Sequence, residues 1–359
     1  MSEIAPRERR PQRIALVPGD GIGPEVLAEA EKVLRVVTRR WELPLELATL
    51  PWGADHYLDT GETLPEGALE TLQEDYAAIL AGAFGDPRVP SNVHARDILL
   101  GLRFRLDLYV NFRPVRLYDA RLCPLKDRGP EDLDFAIFRE NTEGAYVGAG
   151  GSFKPGTADE IAIQEAIHTR KGVERILRAA FEHATIMPRR RLCLAHKSNA
   201  LEHGHGLWHR CFQAVSAEYP EVEARAAHAD AVAMELVLQP GDFEVVVADN
   251  LLGDLLSDLG AALQGGLGLA ASANLHPHRL SLFEPVHGSA PELAGRGLAN
   301  PTAAVLSAAL MLYHLGHGEA AAAVEEAVAQ ELRAGRTTSD LGGTLTTVQV
   351  GDALAEALA

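Results

Sequence analysis

Cysteine is nearly absent from this 359-residue sequence, which contains only Cys123, Cys193 and Cys211. The number is odd, the three lie far apart, and no CxxC pair or Cys/His ligand spacing occurs. These features exclude a disulfide-stabilised scaffold and a cysteine-based zinc site. We therefore expect reduced thiols in a cytoplasmic protein.

An excess of positive charge and a long apolar segment are also missing. The chain has 33 Lys and Arg against 50 Asp and Glu, and its formal net charge of −17 would repel nucleic acid and anionic membranes. Gly, Asp or Arg interrupts every apolar run before it could span a bilayer. The N-terminal stretch contains Glu3 and Glu8 and lacks the apolar core of a signal peptide, so we expect a short mobile tail. The sequence predicts neither a nucleic-acid nor a membrane partner.

The order of apolar and polar segments predicts an α/β protein. With 47% hydrophobic residues, the chain is long enough for two ordinary domains. RIALVPG is typical of a buried strand, GDGIGPE of a tight turn, and residues 24–37 of an amphipathic helix opened by proline. Similar units recur in DYAAILAGAFGDP, DFAIFRENTEG, RRLCLAHKSNAL and FEVVVADNLLGDLLSDLGAAL, which favours helices covering a largely parallel sheet. Ligands of such sheets gather at the carboxyl ends of strands.

An acidic pair is the sharpest local signal. In NLLGDLLSDLG, Asp254 and Asp258 are four residues apart and therefore project from one face of a helix. A solvated acidic face is the ordinary explanation of such a pair. Leu255, Leu256 and the apolar strand before them instead favour a half-buried helix, in which two like charges need a cation. Because oxygen ligands suit Mg²⁺ or Mn²⁺, the pair predicts a divalent-metal site.

Arginines form a second cluster. Arg103 and Arg113 are ten residues apart in LGLRFRLDLYVNFRP, and Arg139 precedes Tyr146 by seven residues in FRENTEGAY. A guanidinium can bind a carboxylate through two parallel hydrogen bonds. Arginine is abundant in this chain and often serves solubility, so the assignment depends on several arginines converging beside the metal site.

Lysine is rare and occurs only at positions 32, 126, 154, 171 and 197. Lys197 follows the apolar strand RLCLA, so we expect it at a strand end. A chain with so few lysines favours a chemical need for this amine, because a desolvated ammonium can lose its proton and a guanidinium cannot. An ordinary exposed lysine is the alternative. The nearby histidines at 196, 203, 205 and 209 lack zinc-protease spacing, and we interpret them as surface or packing residues.

The loop LFEPVHGSAPELAGRGLANP is rich in glycine and proline, so its backbone can approach a ligand closely. Glu292 offers a carboxylate that could accept from two ribose hydroxyls and would repel a 2′-phosphate, which favours NAD over NADP. A purely structural loop is the alternative. The separate GDGIGPE turn spells GxGxG and lacks the GK[ST] of a P-loop, so it is weak evidence of nucleotide binding.

Together these motifs resemble those of the isocitrate/isopropylmalate dehydrogenase family of β-decarboxylating enzymes. The likeness covers GDGIGPEV, the Arg103/Arg113 pair, RENTEG with Tyr146, HKSNAL, NLLGDLLSDL and EPVHGSAPELAGRGLANP, in unbroken order from about residue 14. It implies a two-domain α/β fold with a large mixed sheet and without the Rossmann topology. The cofactor-binding first domain would comprise residues 1–108 and 265–359. The second, residues 109–264, would hold the metal and catalytic residues and the interface of a homodimer with shared active sites.

The resemblance also implies a role for each matching residue. The substrate carboxylates would be bound by Arg103, Arg113 and Arg139. The metal would be held by Asp254 and Asp258, with Asp230 contributed by the partner subunit. Proton transfer would fall to Tyr146 and to Lys197, the latter again from the partner subunit. The adenosine part of NAD would be lined by His287, Gly288, Ala290, Glu292 and Asn300. NAD-linked members usually have Asp where this chain has Glu292. We therefore expect Glu292 to contact the ribose through a longer side chain that carries the same negative charge.

The implied reaction is the metal-dependent, NAD-linked oxidation of a 2-hydroxy dicarboxylic acid, followed by loss of carbon dioxide. Leu99 and Leu100 precede Arg103 and form an apolar wall that would leave a third carboxylate unpaired. This favours 3-isopropylmalate, a leucine-biosynthesis intermediate whose isopropyl group would bury well there. D-malate and tartrate enzymes of the family also carry two leucines at this point, and GGTLTTVQVGDALAEAL resembles their C-termini, so they remain the principal alternative.

Two other interpretations stay open. Homoisocitrate is a further substrate of relatives, although those enzymes place an arginine three residues before the one that matches Arg103. A regulatory relative that binds nucleotide without turnover is the alternative from another class. The presence of the full acid-base and metal set argues against it. The Arg96-Asp97 pair matches none of these patterns and has no explanation in the sequence.

Overall fold

A computed structural model of the chain describes residues 11–359, so the prediction of an N-terminal tail lies almost entirely outside the described residues. The strands are β1 (Gln12–Gly19), β2 (Leu45–Thr49), β3 (Ala78–Ala83), β4 (Val110–Arg116), β5 (Asp134–Glu140), β6 (Gly150–Phe153), β7 (Ile161–Gln164), β8 (Arg191–His196), β9 (Glu223–His228), β10 (Val245–Ala248), β11 (Ala271–Leu275) and β12 (Leu282–Pro285).

The helices are α1 (Gly23–Arg40), α2 (Ala54–Thr60), α3 (Ala68–Asp75), α4 (Val93–Arg105), α5 (Arg170–Ile186), α6 (Glu202–Ser216), α7 (Ala229–Leu238), α8 (Asn250–Leu263), α9 (Thr302–His314), α10 (Gly318–Arg333) and α11 (Thr347–Ala357). The chain divides into two compact units. The first unit runs up to Ile98 and resumes at Arg279, and the second unit comprises Leu99–His278. The functional domains expected from the resemblance, with boundaries at 108/109 and 264/265, remain a prediction.

The first unit contains four parallel strands in the order β2-β1-β3-β12. Strand β3 is buried along its whole length, as expected for a strand covered by helices on both faces. The predicted helix at 24–37 is confirmed as α1, which begins with a proline in its first turn and buries one face.

The GDGIGPE turn braces the first unit internally. Gly21 has a φ of +57°, and a Cβ there would lie 2.0 Å from the carbonyl oxygen of Ser289, so only glycine fits. The buried Asp20 carboxylate accepts the backbone N–H groups of Ala54 and Gly85 at 2.6 and 2.8 Å, and lies 2.8 Å from His94 Nε2. The turn thereby contacts the loop that follows β12. The Asp20 carboxylate accepts its hydrogen bonds from groups within the protein.

The second unit contains a mixed sheet in the order β11-β4-β5-β10-β8-β9. Strands β5, β10, β8 and β9 are parallel, whereas β4 runs antiparallel to β5 and β11 antiparallel to β4. Alternate side chains of β10 enter two cores: Val245 and Val247 pack with α5 and α6, and Val246 and Ala248 pack with α7 and α8. The predicted α/β class with a mixed sheet is confirmed. No helix of residues 11–359 is long and apolar enough to cross a membrane.

Candidate active site

The four parallel strands of the second unit end at one edge of its sheet, and the predicted polar residues follow these ends. Arg139 is the penultimate residue of β5, and Lys197 directly follows β8, as predicted. Asp230 lies two residues beyond β9 in the first turn of α7. Helix α8, which carries the acidic pair, begins two residues after β10. Parallel alignment therefore brings residues distant in sequence to one edge.

Asp254 is the centre of this site. Its Oδ1 accepts hydrogen bonds from Arg139 Nη1 at 2.6 Å and from Arg113 Nη1 at 3.2 Å. Its Oδ2 accepts the hydroxyl proton of Tyr146 at 2.8 Å. Arg113 Nη1 also lies 3.5 Å from Asp258 Oδ1. The structure thus brings together two of the three predicted arginines, the predicted tyrosine and the acidic pair.

Positive charge is concentrated around Arg139. Arg139 is only 3% exposed, and burial together with the nearby Arg113 and Arg103 lowers the pKa of its guanidinium to about 10. A guanidinium whose pKa falls for these reasons gains from a neighbouring anion, because the anion offsets both desolvation and like-charge repulsion. In this structure Asp254 supplies part of that negative charge. A substrate carboxylate is chemically equivalent to it.

Tyr146 is suited to donate a proton. Burial, and then the hydrogen bond to Asp254, raise the pKa of its hydroxyl above the ordinary value, so the group is protonated at neutral pH. The guanidinium carbon of Arg139 lies 5.3 Å from the centre of the Tyr146 ring, so the ring packs beside this arginine.

Helix α8 is half-buried, as expected. Leu256 is buried, whereas Leu255 is 62% exposed. Neighbouring positions on a helix point to different faces, and Leu255 lies on the outward one. Asp258 is also largely exposed, yet partial desolvation and the nearby Asp254 raise the pKa of its carboxyl group. Two carboxylates that repel each other, with oxygen as their only donor atoms, fit a hard divalent cation.

Lys197 and Asp230 form a separate pair. Lys197 Nζ donates to Asp230 Oδ1 at 2.6 Å, and this hydrogen bond lowers the pKa of the Asp230 carboxyl group. Within residues 11–359, the only close trio of His, Cys, Asp or Glu ligand atoms is His168, His205 and Asp249. The carboxylates of Asp230, Asp254 and Asp258 in one chain therefore do not form a trio of ligand atoms within 4.8 Å of one another.

Sequence reasoning missed the trio of His168, His205 and Asp249. The histidines near Lys197 were judged by their spacing along the chain, whereas the partners of His205 lie two residues before α5 and directly after β10. One feature of the sequence could have indicated Asp249: like Lys197, it directly follows an apolar strand. The structure also shows that His205 is buried, as a packing residue would be, and that His203 is exposed.

The predicted cofactor residues lie in the first unit, in the loop after β12. His287 Nδ1 is 3.0 Å from the Gly288 carbonyl oxygen, its Nε2 is buried without a hydrogen-bond partner among residues 11–359, and burial lowers the pKa of the ring. Ala290 has a φ of +36°, a strained conformation for a residue with a side chain. In such a strained loop, Nε2 of the neutral His287 ring could form a hydrogen bond with a ligand.

The remaining predicted residues are less distinctive. Asn300 uses its side chain within the protein, accepting from Thr302 N at 3.0 Å and donating to Asp340 Oδ2 at 3.0 Å. Glu292 is exposed, as a ribose ligand could be. Leu99 and Leu100 are partly buried on α4, the helix that also carries Arg103. Arg96 and Asp97 form an exposed contact of 3.5 Å, and nothing in the structure explains them.

A histidine beside Lys197 makes stability depend on pH. His196 is 5% exposed and packs against the rings of His209 and His228, with centroids 5.3 and 5.1 Å away. Burial first, and the other histidines second, lower its pKa from the ordinary 6.5 to about 4. Between these values the unfolded chain binds more protons than the folded chain, so stability is lost as pH falls through this window.

We therefore expect His196→Asn to flatten the acid dependence of stability. The loss in free energy of unfolding between about pH 7.5 and about pH 5 should be smaller than in the wild type by on the order of 1–2 kcal/mol. Urea unfolding at both pH values measures it. His203→Asn is the matched control, because His203 is exposed on α6. An equal acid dependence in wild type and His196→Asn would contradict the assignment.

The chain is similar over nearly its whole length to proteins of one known family. The model of the isocitrate/isopropylmalate dehydrogenase family matches residues 13–354. The 3-isopropylmalate dehydrogenase of Thermobifida fusca is 49% identical over 98% of this chain and 98% of its own length. That of Frankia casuarinae is 51% identical over 89% of this chain and 92% of its own. A crystal structure of isocitrate dehydrogenase from Methylococcus capsulatus superimposes with a TM-score of 0.87 at 36% identity, covering 97% of this chain and 99% of that one.

Proposed function

The chain belongs to the isocitrate/isopropylmalate dehydrogenase family, and on that premise we propose that it is an NAD-dependent 3-isopropylmalate dehydrogenase that requires Mg²⁺ or Mn²⁺. The observation that carries the proposal is the convergence of Arg113, Arg139 and Tyr146 on Asp254. This set can bind a dicarboxylic acid, donate a proton and hold a metal in one place. The several relatives of nearly full length that are named 3-isopropylmalate dehydrogenase support the choice of substrate.

The proposed roles follow from the chemistry of each side chain. Arg103, Arg113 and Arg139 bind the two carboxylates of the substrate through charge-assisted hydrogen bonds. Lys197 accepts the proton of the 2-hydroxyl group, directly or through water. Tyr146 returns a proton to the carbon that has lost carbon dioxide. Asp254, Asp258 and a third carboxylate would hold a divalent cation, which would supply positive charge next to the substrate oxygen, and NAD would supply the hydride acceptor.

Substrate choice depends on the partly buried Leu99 and Leu100. An isopropyl group gains about 25 cal/mol per Å² of apolar area that it buries against such side chains. A third carboxylate would lose its hydration there without gaining a partner. NAD is favoured over NADP because the Glu292 carboxylate would lie beside the 2′-phosphate and repel it.

We further propose a cytoplasmic homodimer in which each subunit lends Lys197 and Asp230 to the other's site. Exposed apolar side chains on α7 and α8 support a partner surface, since such side chains seldom cluster on a monomer. They are Met234, Val237, Leu238, Leu251 and Leu255. Lys197 pairs with Asp230, and Asp230 forms no close trio with Asp254 and Asp258 of the same described chain, which also supports shared sites.

The test is a steady-state panel of 3-isopropylmalate, D-malate, tartrate, homoisocitrate and isocitrate, each with Mn²⁺ and with NAD or NADP. We expect 3-isopropylmalate with NAD to have the highest kcat/KM, and NADP to be lower by roughly an order of magnitude or more. A roughly tenfold preference for isocitrate would refute the argument from the leucines. No NADH formation with any acid would instead favour the non-catalytic relative.

A further inference from the structure

His205 lies behind Lys197 and contacts its main chain. The ring is 2% exposed, and its Nδ1 accepts the backbone N–H of Lys197 at 2.9 Å. Its Nε2 lies 3.5 Å from Oδ2 of the buried Asp249. The Lys197 carbonyl oxygen accepts from Ala200 N at 3.0 Å and Leu201 N at 2.8 Å. Both main-chain polar groups of Lys197 are therefore fixed.

The hydrogen bonds exclude the most obvious use of His168, His205 and Asp249, which is to bind a metal. His168 Nδ1 accepts from Trp208 Nε1 at 3.1 Å, just as His205 Nδ1 accepts from Lys197. Each Nδ1 must therefore keep its lone pair, so each neutral ring carries its proton on Nε2. A metal would need those same Nε2 lone pairs. The N–H of His205 instead lies near a carboxylate oxygen, Asp249 Oδ2.

Asp249 extends the contact to the helix of the acidic pair. Its Oδ1 accepts from Leu252 N at 2.9 Å, which caps the N-terminus of α8. Asp254 and Asp258 lie on that helix. The His205 ring thus stands between the backbone of Lys197 and the cap of α8.

We propose that His205 is a positioning residue that aims the Lys197 amine by holding its backbone N–H, with Asp249 holding the ring. The proposal rests on the proposed function, in which Lys197 accepts the substrate proton. Without an acceptor at Nδ1, this N–H would lose its partner and the end of β8 could rotate. A displacement of even about 1 Å at a proton-transfer group can cost on the order of a hundredfold in rate.

Two substitutions at position 205 separate the hydrogen-bonding roles of Nδ1 and Nε2. In His205→Asn, the amide oxygen can lie near the Nδ1 position and accept from Lys197 N. In His205→Gln, the longer side chain reaches the Nε2 position, where its amide can donate to Asp249. We expect His205→Gln to lower kcat roughly tenfold to a hundredfold, and His205→Asn to recover most of that loss. The KM for NAD should stay constant in both, because the cofactor residues lie in the first unit. His203→Asn, an exposed residue of the same helix, is the control and should match the wild type.

The measurements are kcat, both KM values and the melting temperature of each variant with 3-isopropylmalate, NAD and Mn²⁺. The proposal is supported if kcat orders the variants as wild type, Asn, Gln, with no matching order in melting temperature. It is overturned if Gln retains the wild-type kcat, or if kcat simply tracks melting temperature in both variants. Wild-type protein without turnover on any acid of the panel would overturn the proposed function as well. An active wild type with an unaffected Gln variant would overturn the positioning role alone.

Discussion

Lys197→Met is expected to lower kcat by roughly two to four orders of magnitude, the usual contribution of a positioned acid or base. Methionine keeps the length and most of the volume of the side chain but cannot accept a proton. The variant should still bind NAD, because the predicted cofactor residues lie in the first unit. The substitution also removes the ion pair between Lys197 and Asp230. Because the Asp230 side chain is 68% exposed, we expect the free energy of unfolding to stay nearly unchanged. Initial rates and a fluorescence titration with NADH measure the two properties.

Two controls make the Lys197 result specific. Lys126→Met removes a lysine whose side chain is 91% exposed, and it should leave kcat unchanged. Lys197→Arg keeps the positive charge but not the ability to lose a proton, so it should be almost as inactive as the methionine variant. Wild-type kcat in either Lys197 variant would remove this residue from the mechanism.

Asp258→Asn is expected to raise the Mn²⁺ concentration needed for half-maximal activity by roughly two orders of magnitude, because one charged ligand becomes neutral. Asp258 suits this test better than Asp254. Its side chain is 58% exposed and lies 3.5 Å from Arg113, whereas Asp254 also pairs with the buried Arg139 and accepts from Tyr146. Removing the Asp254 charge would leave a buried guanidinium poorly compensated and confuse a metal effect with a loss of stability.

The control for Asp258→Asn is Asp59→Asn, which removes the same charge from an exposed position at the end of α2. Metal titrations of both variants at constant substrate give the comparison. If Asp258→Asn needed no more Mn²⁺ than Asp59→Asn, the acidic pair would be a solvated helix face and the metal assignment would be wrong.

Mixing the Lys197→Met and Asp258→Asn variants at a low Mn²⁺ concentration tests whether the sites are shared. In a heterodimer of Lys197→Met and Asp258→Asn, one site would receive both substitutions and the other site neither. Random reassortment makes about half of the dimers mixed, so about a quarter of the wild-type activity should return at saturating substrate and low Mn²⁺. Sites built within single subunits would give no recovery. The subunits can be exchanged by refolding from urea or combined by co-expression.

Much of the local structure could be predicted from the sequence. The strand before the GDGIGPE turn, helix α1 and the position of Lys197 at the end of β8 all followed from apolar periodicity and from proline and glycine. The resemblance of ordered motifs indicated the family and the mixed sheet. The outward direction of Leu255 was not foreseen, because two neighbouring leucines look alike in a sequence and only the packed helix distinguishes their faces.

The order of the motifs and the residue types at strand ends determined, by themselves, the family and the α/β class, and they predicted which side chains carry chemistry. Only the tertiary structure decided which of these side chains are in contact. Asp254 accepts hydrogen bonds from Arg113, Arg139 and Tyr146. Lys197 donates from its amine to Asp230 and from its backbone N–H to His205. The apolar periodicity that predicts a helix or a strand is a pattern of a few neighbouring residues, so it can be found in the local sequence. Partners at the sheet edge depend on the order in which distant strands pair, and no local pattern encodes that order.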